Sequence, residues 1–176
     1  GKICVDRTPV LDHHPFSRAE LKNMGAAMAS SGGVTLFHVL GLTPEAPDES
    51  TVFDREPEET VTITQKDLDG LRDSREFQGN ARIVAIGCPQ MTFDEVMEVG
   101  GRFRGKRVTR PTFLHVMPAA FERFKETETY RDVVAAGVEV RQHCPLAAFS
   151  VRVGIGGTDV LTNSGKLKYY LAGTQY

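Results

Sequence analysis

Very little in this sequence leans to one side. Its 176 residues carry 21 Lys and Arg against 23 Asp and Glu, a formal charge of −2. That near-balance removes the electrostatic case for a nucleic-acid partner or an anionic membrane surface. No apolar run approaches bilayer length, and the opening residues lack a signal-peptide pattern, so no membrane partner is expected either. Cysteine is scarce: three residues, an odd number at unrelated spacings, argue against a disulfide framework. Free thiols in a reducing, cytoplasmic setting are the simpler expectation. An initiating methionine is missing, since the chain opens on Gly1 and closes on Gly-Thr-Gln-Tyr, so a piece of something longer is expected. What is present is ordinary for a globular protein, 40% hydrophobic and 25% charged residues. The length suits one α/β domain over 1–176 with a sizeable core.

The stretch that organises the chain is ARIVAIGCPQMTFDE, from Ala81 to Glu95. Ile83 to Ile86 is a short apolar run bounded by polar residues, which suits a strand buried on both faces. The run breaks at Gly87-Cys88-Pro89, and Thr92 with Glu95 three residues on supplies a capping box for a helix. Cys88 is therefore expected at the carboxyl end of a parallel strand and near a helix start. Ligands of open α/β sheets bind in that crevice, and a helix N-terminus favours the thiolate that binds metal or attacks. The plainer alternative is a small buried hydrophobe.

The other segments extend the same alternation. Ile3-Cys4-Val5 reads as a packed strand, and Asp12-His13-His14-Pro15 as a solvated loop. Ser17 and Glu20 form another capping box for a helix carrying Leu21, Met24, Ala27 and Met28, which stops at Gly32-Gly33. Val34 to Leu40 reads as a nearly continuous apolar strand. His38 inside it is either a hydrogen-bonded core histidine or a polar contact at a site. The strand empties into Gly41-Leu42-Thr43-Pro44-Glu45, in the same sheet-edge position as Cys88, and an acidic loop follows. Thr60 to Thr64 alternates as a short strand, and Thr64 with Asp67 caps a helix to about Phe77, followed by a Gln78-Gly79-Asn80 turn. Thr112 to Met117 is an apolar strand, and Pro118 suits the first position of a helix. A broken helical region ends at Gly137. Val138-Glu139-Val140 then runs into Gln142-His143-Cys144-Pro145. Strands alternating with helices imply a right-handed parallel sheet.

Cys144 thus also follows a strand and precedes a proline, so the two thiols are expected to reach one crevice. Two thiolates at equivalent strand ends are a better metal signal than one, although two ligands complete neither an iron nor a zinc site. Near the end, Thr162-Asn163-Ser164-Gly165-Lys166 precedes an apolar helix. Asn163 or Ser164 could cap it, with its N–H groups and Lys166 facing a carboxylate or phosphate. An ordinary capped helix end fits those residues equally well.

Taken together, GAAMASSGGVTLFHVLGLTPEAP at 25–47, IGCP at 86–89 and TNSGK at 162–166 resemble aconitase X, a branch of the aconitase superfamily. The likeness covers nearly the whole chain but only the second half of that family's large subunit or region. It implies a three-layer α/β/α parallel-sheet domain of the aconitase type. It also implies hydro-lyase activity on a small hydroxy acid, as in cis-3-hydroxy-L-proline dehydratase or an archaeal phosphomevalonate dehydratase. Cys88 and Cys144 are then expected to ligate iron or an iron–sulfur cluster of open nuclearity, with a third ligand from outside this segment. The expected partners are the N-terminal half of the large subunit and a small swivelling domain or subunit that closes the site. Two departures stand out: Cys88-Pro89-Gln90 where the family usually has Cys-Pro-His, and Gln142-His143-Cys144 where it often has Asp-Thr-Cys. Altered neighbours can retune a metal centre.

On this reading Ser164 and Lys166 are the catalytic candidates, and Asn163, His38 and Glu45 the substrate-binding ones. The substrate leans to the hydroxyproline type, with the phosphorylated substrate as the alternative. A non-catalytic scaffold module is the rival from another class, and a cysteine-nucleophile hydrolase is disfavoured for want of a nucleophile motif. The 176 residues alone are expected to be inactive, because they lack part of the ligand set and the lid. Measurable dehydratase turnover by this segment alone would contradict the reading.

Overall fold

The computed structural model describes residues 7–73, 81–145 and 160–172. Contacts divide the chain into two compact units. One contains Phe16–Thr35 and the described part of Ala81–Tyr176; the other contains Thr8–Pro15 and the described part of Leu36–Asn80.

The larger unit is built on a four-stranded, wholly parallel sheet. In chain order its strands are β3 (Ile83–Met91), β4 (Thr112–Val116), β5 (Glu139–Arg141) and β6 (Val160–Thr162), in the spatial order β5-β4-β3-β6. Its helices are α1 (Arg18–Gly32), α4 (Phe93–Gly101), α5 (Pro118–Phe124), α6 (Glu128–Ala135) and α7 (Gly165–Ala172). Alternation along β4 divides them into two layers. Leu114 and Val116 face a core shared with Val96, Phe124 and Val133 of α4, α5 and α6. Phe113 faces the opposite way, with Ala85, Cys88 and Leu167, on the side where α1 and α7 pack against β3 and against each other. This is the three-layer α/β/α arrangement expected, with β3 in the interior of the sheet.

The local signals for helix starts hold in detail. Ser17 caps α1 and Thr92 caps α4, each with a reciprocal glutamate three residues on. Thr127 caps α6 and Pro118 opens α5. Gly33 ends α1 in the left-handed conformation at φ 64°.

Strand boundaries depart more. The strand expected to stop at Ile86 continues to Met91, but its pairing with β4 takes five steps from Ile86 to Met91 against two from Leu114 to Val116. Gly87 to Gln90 are therefore a bulged extension of β3. Cys88 lies within the strand, not beyond it.

In the smaller unit, the strand expected over Val34–Leu40 is only β2 (His38–Val39), parallel to β1 (Val10–Leu11). The segment passes from one unit to the other between Thr35 and Leu36, and Leu36 is exposed, so no single sheet face takes the whole apolar run. The strand expected at Thr60–Thr64 does not form: residues 61–64 are exposed and unpaired in any ladder, and alternation alone supplies no partner strand. Thr64 instead caps α3 (Gln65–Asp73), with Asp67 Oδ2 accepting from its backbone N–H at 2.8 Å. A one-turn helix, α2 (Glu49–Val52), sits in the acidic loop. Cys4, Phe77 and the Gln78-Gly79-Asn80 turn lie outside the described residues. Among the described residues no helix is long and apolar enough to cross a membrane.

Two adjacent glycines of α4 give a direct test of the layer packing. A Cβ on Gly100 would lie 2.8 Å from Thr129 Cγ2 and 3.2 Å from Val133 Cγ2, whereas one on Gly101 meets nothing within 4 Å. Gly100→Ala is expected to cost about 1–3 kcal/mol through overpacking. Gly101→Ala is expected to be neutral or to stabilise by up to about 1 kcal/mol through helix propensity. Denaturant midpoints of the two variants check the difference in sign.

Candidate functional site

The bulged extension of β3 carries the site. Gly87 sits at φ 99°, and a Cβ there would come within 2.3 Å of the His115 carbonyl oxygen, so only glycine lets β3 run this close to β4. Beyond it the backbone leaves the regular ladder while staying largely buried, and its polar groups need partners from side chains. The Cys88 carbonyl accepts from the Ser164 hydroxyl. The Gln90 carbonyl accepts from Lys22 Nζ at 2.8 Å. The Met91 carbonyl accepts from the Met117 N–H at 3.0 Å. The Cys88–Pro89 peptide bond is cis.

Ser164 joins two elements. Its Oγ accepts from Leu167 N–H at 2.9 Å, capping α7, while its proton goes to the Cys88 carbonyl. The residue is buried because the start of α7 abuts the extension. Of the two capping candidates in the sequence, Ser164 makes the bond. The helix start bonded to Cys88 is thus that of α7, through a residue seventy-six positions on.

Gly87, Cys88, Pro89 and Met91 of β3, Asn23 of α1, Glu95 of α4 and Asn163 to Lys166 together line a cavity of about 150 Å3. Three expected site residues, Asn163, Ser164 and Lys166, therefore meet Cys88. Cys144 follows β5 at the same carboxyl edge of the sheet and is exposed. Its charge lies close enough to Cys88 to raise the latter's pKa.

The acid–base properties of the site follow from burial. Burial pushes the Cys88 thiol up; the Ser164 hydroxyl and the Lys166 ammonium oppose the rise, and Cys144 adds to it. The expectation of a thiolate favoured by a helix N-terminus is corrected here. Cys88 is 6% exposed and packs against Ala85 and Leu167, so desolvation outweighs the Ser164 hydroxyl and the Lys166 ammonium. A cation bound at its sulfur would reverse that balance. Glu95 behaves oppositely. Burial alone would raise it, but Lys22 Nζ at 2.5 Å and the N–H and hydroxyl of Thr92 hold it below the ordinary carboxylate value. Asn23 Nδ2 stands 3.4 Å from its other oxygen. Burial also lowers the pKa of His115, and its Nδ1 lies 2.8 Å from the His143 carbonyl. A carbonyl only accepts, so Nδ1 carries the proton of a neutral ring.

Two thiols within electrostatic reach, with a lysine and a helix start beside one of them, suit two ligands of an iron centre. Among the described residues no group of three or more His, Cys, Asp or Glu could hold a metal ion.

His38 and Glu45 belong to the smaller unit. His38 is half-buried on β2, its Nδ1 without a hydrogen-bond partner among the described residues. Glu45 is exposed in the turn that Thr43 and Ala46 close. His13, beside the proline-flanked loop, bonds the Leu40 carbonyl at 3.0 Å. Sequence reading missed Lys22, Asn23 and Glu95 as site residues. The signal available was a polar Lys-Asn pair beside the apolar positions of α1, but nothing local says which strand end that helix faces.

Models of the aconitase X second and third domains match residues 1–73 and 81–176 respectively. The phosphomevalonate dehydratase large subunit of Methanosarcina mazei is 32% identical over 174 residues, which cover 98% of this chain and 42% of that protein. The cis-3-hydroxy-L-proline dehydratase of Pseudomonas aeruginosa is 29% identical, over 98% of this chain and 31% of that protein. The crystal structure of Thermococcus kodakaraensis aconitase X in its holo-form superposes with a TM-score of 0.80 at 25% identity, over 99% of this chain and 45% of that one. The chain spans less than half the length of each.

Two expectations follow from the site's hydrogen bonds. Ser164→Ala removes a helix cap and leaves a buried carbonyl unmatched, so it is expected to lose about 2–4 kcal/mol of stability by chemical denaturation. Glu95 is lowered in the folded state, so its contribution is complete above the unfolded carboxylate value of 4.5 and is lost as pH falls through the folded value. The stability gap between the wild type and Glu95→Gln is therefore expected at neutral pH and to shrink in acid. A gap that widens in acid would contradict the assignment.

Proposed function

This chain belongs to the aconitase X family, and from that premise we propose that it supplies half of the active site of a hydro-lyase that dehydrates a small 3-hydroxy acid. The observation that carries the proposal is the meeting of Cys88 with Asn163, Ser164 and Lys166 in one cavity, with Cys144 in electrostatic reach of Cys88. The cysteines hold an iron or iron–sulfur centre together with a ligand from outside these residues. Such a centre, when bound, supplies a Lewis acid for the departing hydroxyl without a change of redox state.

The chain's own residues bind and orient. Lys166 and the N-terminal end of α7 clamp the substrate carboxylate. The Asn163 carboxamide offers both a donor and an acceptor to a hydroxyl or carboxylate. Ser164 Oγ holds its proton against the Cys88 carbonyl, which fixes the backbone that carries the ligand sulfur. A role for Ser164 in proton transfer requires exchanging that bond for one to substrate. His38 and Glu45, on the stretch most typical of the family, are candidates for polar contacts in the assembled protein. A small swivelling domain or subunit closes the site, in a reducing, cytoplasmic setting.

The lining favours a hydroxyproline-type substrate. Lys166 is the one lysine or arginine among the lining residues, and Glu95 is an ionised carboxylate on the same wall. Glu95 is already paired with Lys22, so the single cation left among the described lining residues suits one carboxylate, whereas a phosphate calls for more cationic donors. The second reading, phosphomevalonate, is favoured by the Methanosarcina mazei relative at 32% identity.

The test uses the complete protein, prepared without oxygen, with iron content, ultraviolet–visible absorbance and turnover of both substrates as readouts. Iron-dependent dehydration of either one is the expected result. Absence of iron together with no turnover of either substrate would leave the scaffold reading standing. Cys88→Ser is expected to lower bound iron and turnover together, and unchanged iron would remove Cys88 from the ligand set.

A further inference from the structure

The two cysteine-bearing segments are tied to each other by a side chain. Gln90 lies two residues after Cys88, and Gln142 two before Cys144. Gln90 Nε2 donates to the Gln142 carbonyl at 2.7 Å and stands 3.4 Å from the Val116 carbonyl. Both neighbours are carbonyl oxygens, which fixes the orientation of the amide: its NH2 group must face them. The backbone of Gln90 is itself anchored, since its own carbonyl accepts from Lys22 Nζ, which is paired with Glu95. The next carbonyl along, that of His143, accepts from His115 Nδ1 at 2.8 Å. Residues 142–144 therefore hang from two donors, one on β3 and one on β4.

From this we infer that Gln90 is a positioning residue that sets the separation of Cys88 and Cys144. Cys144 follows the short edge strand β5, whose last residue is Arg141, and is exposed. Strand pairing stops three residues before it, so the ladder does not fix where its sulfur stands. A donor rooted in the same bulged segment as Cys88 couples the two sulfurs more closely than the sheet does, since both ends of the tether lie two residues from a thiol. The inference rests on the proposed role of the cysteines as co-ligands for its consequence, but the tether itself does not depend on metal.

Two variants separate hydrogen bonding from packing. Gln90→Glu keeps the volume and removes the NH2 donors, placing a carboxylate against two carbonyl oxygens. Gln90→Leu removes the donors without adding charge. Amide hydrogen exchange over residues 139–145 is measured by mass spectrometry on the complete protein, first without iron. Both variants are expected to exchange several-fold faster there, with no change in the helices of the opposite layer. Iron release to a chelator from the anaerobic holoprotein is then expected to be several-fold faster in both. Wild-type exchange rates in both variants, or in Gln90→Glu alone, would overturn the tether. Faster exchange with unchanged iron release would overturn its positioning role. If the wild type binds no iron and Cys88→Ser changes nothing, the functional reading fails, and the exchange experiment still decides whether Gln90 holds the segment.

Discussion

A bulged strand end that stays buried must find hydrogen-bond partners away from its own ladder, and that requirement organises this molecule. Between Ile86 and Met91, β3 outruns β4, so its carbonyls turn to Ser164, Lys22 and the Met117 N–H. Each partner brings an element with it: α7 through Ser164, α1 through Lys22, and the start of α5 through Met117. Glu95 then ties α1 to α4 by accepting from Lys22. Gly87 makes the geometry possible, because any side chain there would strike the His115 carbonyl. The cavity is what remains at the centre of these attachments.

The electrostatics follow from the same construction. Lys22 is spent on structure, held by a carboxylate and a carbonyl. Lys166, by contrast, reaches the cavity beside Cys88. Cys88 is kept a poor thiolate by burial in the absence of a cation, and Cys144 beside it makes ionising both costlier still. On the proposed reading, a positive centre bound by such a pair would displace its protons.

Most of the larger unit was legible in the sequence because its signals are local. Ser17/Glu20, Thr92/Glu95 and Pro118 announce helix starts through bonds spanning three residues or the ring of proline. Strand-end and helix-start patterns brought Cys88, Cys144, Asn163, Ser164 and Lys166 forward, and the family likeness then grouped them. What was not legible depends on chain far away. The apolar run Val34–Leu40 looked like one strand, but its two ends serve different units. Thr60–Thr64 had the alternation of a strand and no neighbour to pair with. Lys22 and Glu95, seventy-three positions apart, carry no shared local signal. The thiolate expected at Cys88 is not favoured because burial raises its pKa, and burial is a property of the finished fold.

The account stands on one geometric proposition, that the sulfurs of Cys88 and Cys144 serve a single centre. Anomalous diffraction at the iron edge from crystals of the complete, anaerobically prepared protein addresses it directly. The expected result is an iron position within bonding distance of both sulfurs, at the carboxyl edge of β3 and β5. Iron bonded to other residues, with both of these thiols free, would contradict it.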